Sequence, residues 1–143
     1  MRESGLSLFL RYAEPCLPHR LRRGLISPED EEAVKWHIDE KIKPETKLVE
    51  HCFPDAVADY QRYCSKKGYE PDYSRDSVAD YWRHNHVGRT SVTIGLVVCA
   101  DNGIVYISHS WNNQIIPIAN PRKIEVRRGD KVTCHANQII EKL

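Results

Sequence analysis

No stretch of this chain stays apolar for the roughly 18 residues that a membrane-spanning helix needs. Its opening, "MRESGLSLFLRYAEPC", also lacks the long apolar core and small-residue cleavage site of a signal peptide. Repeats and low-complexity tracts are missing. So are a Gly-rich phosphate loop, a GxSxG elbow and an HExxH pair, which removes three common catalytic signatures. Charge of one sign is scarce: 21 basic residues face 20 acidic ones, for a net +1. A phosphate-backbone binder would announce itself by a clear excess of Lys and Arg. The five cysteines are odd in number and scattered at 16, 52, 64, 99 and 134, so no disulfide framework is expected. Together these absences predict a cytoplasmic protein without a membrane partner. They also weigh against catalysis and against nucleic acid.

What is present is an ordinary globular composition over 143 residues, enough for one domain or two very small ones. The residue pattern changes near residue 88. Before it, apolar residues recur at helical spacing; after it they alternate, with frequent turn signals. Residues 4–13 read as a first helix, ended by Pro15 and Pro18. "SPEDEEAVKWHIDEKI" opens with Ser27 as N-cap and Pro28 at the first helical position, followed by acidic residues at the positive end of the helix dipole. Its inward stripe is Ala33, Val34, His37 and Ile38. "KPETKLVEHC" supplies a short helix. "PDAVADYQRYCSKKG" starts at Pro54 and stops at Gly68, with Ala56, Val57, Tyr60, Tyr63 and Cys64 on one face. "SRDSVADYWRHNH" packs through Val78, Tyr81 and Trp82.

The remainder reads as short strands. "SVTIGLVVCA" places Val92, Ile94, Leu96 and Val98 on one face. Asp101-Asn102-Gly103 is a hairpin signal, and "IVYISH" is the return strand. Pro117 marks an edge or irregular strand. "RRGD" is a further turn before "KVTCH" and "QIIEKL". The fold class is therefore α+β: residues 1–88 form a helical domain of four to five helices. Residues 89–143 form a small antiparallel β-barrel of OB/SH3-like type packed on it. Tyr81 and Trp82, just before the change of pattern, are the expected interface residues.

In "KVTCH", Val132 belongs in the core, so alternation sends Cys134 inward as a small hydrophobe and His135 outward. An outward imidazole can reach a ligand or a protein partner. The barrel's aromatics are only Tyr106 and Trp111, and residues 90–143 carry six basic and four acidic side chains. Arg122, Lys123, Arg127 and Arg128 could form a basic rim. The binding candidates are thus His135, Trp111, Arg127 and Arg128.

The segment "GDKVTCHANQIIEKL" resembles the end of the hydrogenase-maturation chaperones of the HypC/HupF type. Gly129, Asp130, Val132, His135, Ala136, Ile140, Glu141, Lys142 and Leu143 match that family's ending. "IGLVVCADNGIVYI" is similar to its opening strand and hairpin, and the resemblance covers roughly residues 92–143. It implies a barrel that docks a scaffold protein and a hydrogenase subunit. It also implies an iron centre held by the strand histidine and a cysteine next to the initiator Met. This chain begins Met1-Arg2 and has Ser91 and Val92 where the ligand cysteine would stand; Asn137 and Gln138 replace a glycine and an aromatic.

A second constellation lies in the helical part. Cys16-Leu17-Pro18-His19 has C-x-x-H spacing, and a zinc or iron site would need further donors from His51, Cys52, Cys64, His84 and His86. Adjacent pairs such as His51-Cys52 diverge on a helix and make no nucleophile–base pair by themselves. The leading expectation is a non-catalytic accessory protein that docks a protein partner through its barrel. A metal-binding protein and a nucleic-acid-binding barrel are the alternatives.

Overall fold

The computed structural model describes residues 3–84, 92–109 and 114–143. The chain divides into two compact units, Met1–Asn85 and His86–Leu143. The first is helical and the second is a closed β-barrel, the α+β order expected.

Helix α1 spans Gly5–Ala13, with the Ser4 side chain accepting from the Ser7 N–H as its cap. Pro15 and Pro18 do not end the helical path. Each sits at the start of a new element, where its missing N–H is not needed: a 3-10 turn at Glu14–Cys16, then α2 at Leu17–Arg22. Helix α3 (Pro28–Asp39) opens with a capping box between Ser27 and Asp30. Helix α4 covers Thr46–Cys52, and α5 covers Pro54–Lys67 before Gly68 takes the left-handed conformation at φ 76°. Helix α6 is Arg75–His84.

The helical unit is organised around Phe9, whose ring meets Tyr60 and Trp82 edge-on at 5.8 and 5.3 Å and lies parallel to Tyr81 at 6.3 Å. Tyr12 stacks on Trp82 at 5.5 Å. Tyr81 and Trp82 are therefore buried among the helical unit's own aromatics. The hydroxyls of Tyr60 and Tyr81 find partners, as most buried polar groups do. The Tyr60 hydroxyl hydrogen-bonds Ser77 Oγ at 2.7 Å and accepts from the Tyr73 N–H at 3.0 Å, and Tyr81 donates to Asp59 at 2.9 Å. Gly5 is required by packing, since a Cβ there would collide with the Tyr73 carbonyl.

The barrel has strands β1 (Thr93–Asp101), β2 (Ile104–Ser108), β3 (Ile115–Ala119), β4 (Lys131–His135) and β5 (Gln138–Lys142). They close in the order β1-β2-β3-β5-β4. Four contacts are antiparallel, but β3 meets β5 in parallel, through Ala119 and Gln138 alone. The barrel is thus mixed rather than wholly antiparallel, because β3 and β5 are separated in the chain by β4 rather than joined by a hairpin. A meander of three strands with this closure is the OB arrangement. Asn102 and Gly103, both at positive φ, make the expected tight turn between β1 and β2. Ala136 and Asn137 do the same between β4 and β5 without a glycine.

The barrel interior is aliphatic: Val97, Val105, Ile107, Ile118, Val132, Cys134 and Ile139, with Ile116, Ile124 and Val126 packed against them. Gly95 faces inward at the tightest point, where a Cβ would collide with Ile107 Cγ2. That sets the alternation of β1: Gly95 and Val97 go in, so the expected face of Ile94 and Leu96 is the outer one. A bulge between Val97 and Cys99 then bends the strand around the barrel.

Candidate functional site

The outer face of β1, β2 and β3 is the feature that ordinary packing does not account for. Register places three rows across it. Leu96, Ser108 and Ile115 form one, Cys99, Tyr106 and Pro117 the next, and Asp101, Ile104 and Ala119 the last. Leu96, Ile104 and Ile115 are 48%, 41% and 56% exposed. Cys99, Pro117 and Ala119 are also exposed, while Tyr106 and Ser108 are half-buried. Of these nine side chains only Asp101 carries a charge, and it lies in a corner. Single exposed aliphatics are unremarkable, but a contiguous uncharged patch is a mark of an interaction surface.

Basic groups border this face. Lys131 is exposed and pairs with Leu96 in the ladder. The Arg127–Asp130 turn is stitched to β1, with the Gly129 N–H donating to the Val97 carbonyl at 2.8 Å and the Val97 N–H to that of Asp130 at 2.9 Å. At the other end the Asn120 N–H donates to the Gly103 carbonyl at 3.1 Å, so Arg122 and Lys123 follow close to Ile104 and Ala119. The acids here are largely committed. Asp130 accepts from the Arg127 N–H at 2.8 Å and pairs with Lys142 at 3.3 Å, which holds its carboxyl below the usual range, the backbone hydrogen bond first among the causes. Glu141 is buried. Glu125 stands 3.9 Å from Arg127.

Comparison with family models, with characterised proteins and with solved structures found no match. The site is therefore read from its own residues.

Cys134 faces inward as expected, 3% exposed, in the aliphatic core. Burial pushes its thiol up to about 11, against a hydrogen bond from the Thr93 side chain, so it is no thiolate at neutral pH. Thr93 Oγ1 also lies 3.1 Å from His109 Nε2. The buried His109 ring is held below its ordinary value of 6.5 by desolvation. This His–Thr–Cys line stabilises neutral groups, so it is structural.

His135 corrects an expectation. It points away from Val132 and Cys134, but it is 1% exposed rather than facing water. Thr133 and Glu141, a cross-strand pair on that same side, are buried too. Alternation decides which side of a sheet a residue occupies; it does not decide whether that side meets solvent. His135 is thus no surface docking residue. Arg127 and Arg128 are exposed as expected. Trp111 and His86 lie outside the described residues.

The described helical Cys and His residues do not converge. Among the described residues no group of three His, Cys, Asp or Glu side chains could hold a metal. His51 Nε2 pairs with Asp30 at 3.0 Å, beside the α3 cap, and His84 Nδ1 with Asp80 at 2.7 Å. Asp80 is partly desolvated, yet hydrogen bonds from Tyr69, His84 and Tyr63 outweigh that and lower its value. Cys52 and Cys64 are buried, with burial raising both thiols, Cys52 to about 11. Cys16 is half-buried and raised for the same reason, and His19 is exposed.

An iron centre of the type the resemblance implies does not fit these residues either. Val92, near the position of the ligand cysteine, is a buried aliphatic, and the His135 ring is enclosed. Sequence reasoning missed the outer face of β1–β3, and Thr93 and His109 with it. The available signal was Gly95, a residue whose missing side chain marks a close approach.

Proposed function

We propose that this chain is a non-catalytic accessory protein whose barrel docks a protein partner through the outer face of β1, β2 and β3. The observation that carries this reading is the exposed patch of Leu96, Ile104 and Ile115 across three strands whose interior is already filled by other side chains. Covering such side chains gives an association its driving force, about 25 cal/mol for each Å² of apolar surface removed from water. The resemblance to hydrogenase-maturation chaperones supports the docking half of that family's work. The iron-carrying half is left without ligands.

The experiment is a capture from source lysate with wild-type chain, the Leu96→Glu/Ile115→Glu variant and His135→Ala, followed by purification of the captured protein and direct titration. Loss of binding with the double variant, at unchanged melting behaviour, is the expected result. A partner bound equally by wild type and double variant would remove the proposal.

A nucleic-acid reading has one observation in its favour. OB-type barrels bind oligonucleotides on the face of their second and third strands, and this face has a basic border. Base stacking wants aromatic platforms, and among the described residues of the barrel Tyr106 is the sole aromatic. Retention on single-stranded DNA at low salt, lost with Arg127→Glu/Arg128→Glu, would favour that reading instead.

A further inference from the structure

Resting on that docking reading, we infer that the occupant of the β1–β2–β3 face is a protein segment carrying aliphatic side chains flanked by carboxylates. The centre of the face sets the aliphatic part. Leu96 and Ile115 lie in one row across β2, with Ile104 two rows away, and Pro117 between them adds apolar surface without a charge. A partner group placed there must be apolar, because a charge would lose its water and gain no counter-ion.

The border sets the flanks. Cations stand on two sides: Lys131 and the Arg127–Arg128 turn along the β1 edge, and Arg122 with Lys123 past the Ile104–Ala119 end. These five cations outnumber the four acids of residues 92–143. Of those acids, Asp130 is engaged by Lys142 and the Arg127 N–H, Glu125 stands 3.9 Å from Arg127, Glu141 is buried, and Asp101 stands in one corner. Complementary charge steers partners and rejects wrong ones. A second copy of this face would bring one cationic border against another, which argues against self-association. The shortage of aromatics argues against nucleic acid.

The test is selection of displayed random peptides of about twelve residues on the immobilised full-length chain. Enriched sequences are then synthesised with a fluorescent label and titrated by anisotropy. The expected winners combine Leu, Ile, Val or Phe with flanking Asp or Glu. Their affinity falls about tenfold or more with Leu96→Glu/Ile115→Glu, falls similarly with Arg127→Glu/Arg128→Glu/Lys131→Glu, and weakens as salt is raised. All these positions are exposed, so folded variants are expected and a thermal melt verifies each.

Winners that are neutral or basic, and still lost with Leu96→Glu/Ile115→Glu, would overturn the acidic-segment inference while leaving docking intact. Winners indifferent to that variant, or no winners, would overturn both. A concentration-dependent dimer in sedimentation, abolished by Leu96→Glu, would make a second copy the occupant and overturn the inference. Oligonucleotides that displace the bound peptides with higher affinity would do the same.

Discussion

The two units treat apolar surface differently. The helical unit gathers most of its aromatics inside, around Phe9, leaving Trp36 and Tyr69 exposed, and ties the Tyr60 and Tyr81 hydroxyls to Ser77 and Asp59. The barrel fills its interior with aliphatic side chains and then displays more of them on its outer face. A large aromatic offers both area and a hydrogen-bonding handle, so it can anchor a core that must also be specific. A half-exposed aliphatic offers only area, and leaving it in water stabilises nothing. Under the docking proposal, the inside of both units supplies stability and the outside of one supplies recognition.

The largest effect is expected in the helical unit. Trp82→Ala removes a ring stacked on Tyr12 and edge-on to Phe9, and should cost about 3–5 kcal/mol in denaturant unfolding. A variant with wild-type stability would mean the aromatic cluster is not the core it looks like. Next comes Tyr60→Phe, which keeps the ring but takes the acceptor from the Tyr73 N–H and leaves the Ser77 hydroxyl with Ser74 alone; the expected loss is about 1–3 kcal/mol. No measurable loss would show that these groups find other partners.

The barrel's counterpart is pH-dependent. The His109 ring is held below 6.5 by desolvation, so the folded state keeps it neutral where the unfolded chain takes up a proton. Its contribution is complete above 6.5 and is lost progressively as pH falls below that value. The difference in stability between wild type and His109→Gln should therefore shrink between pH 7.5 and 5, read from denaturant titrations over about that range. A difference that stays constant would remove the protonation argument. The smallest effect separates the two roles most sharply. Leu96→Glu should leave stability within about 0.5 kcal/mol while abolishing partner binding. If it unfolds the barrel instead, Leu96 belongs to the core and not to a surface.

Local chemistry made much of the fold legible. Ser27 and Pro28 marked a helix start, Gly68 a helix end, and Asn102-Gly103 a hairpin, because each signal depends on only a few neighbouring residues. Pro15 and Pro18 marked the end of the first helix at Ala13 but hid the 3-10 turn and the helix that they open, since a proline that stops one helix can equally begin the next. The parallel closure of β3 on β5 had no local signal; it depends on residues nearly twenty apart in the chain, Ala119 and Gln138. The same holds for the site. Arg127 and Arg128 followed from a turn, whereas the outward direction of Leu96 depended on Gly95 approaching Ile107, a contact between strands. The enclosure of His135 is likewise a tertiary fact that pleat parity could not reach.

One residue carries a consequence for solubility. The Ala119 N–H turns toward β5 to reach the Asn137 carbonyl, and Pro117, two residues back, turns its nitrogen the same way. The thinnest seam of the barrel therefore presents a ring where a hydrogen-bond donor would stand. A sheet that shows aliphatic side chains to water is an invitation to open-ended stacking, strand upon strand, into fibres. Pro117 withholds the first rung, so the greasy face can stand in water without recruiting copies of itself.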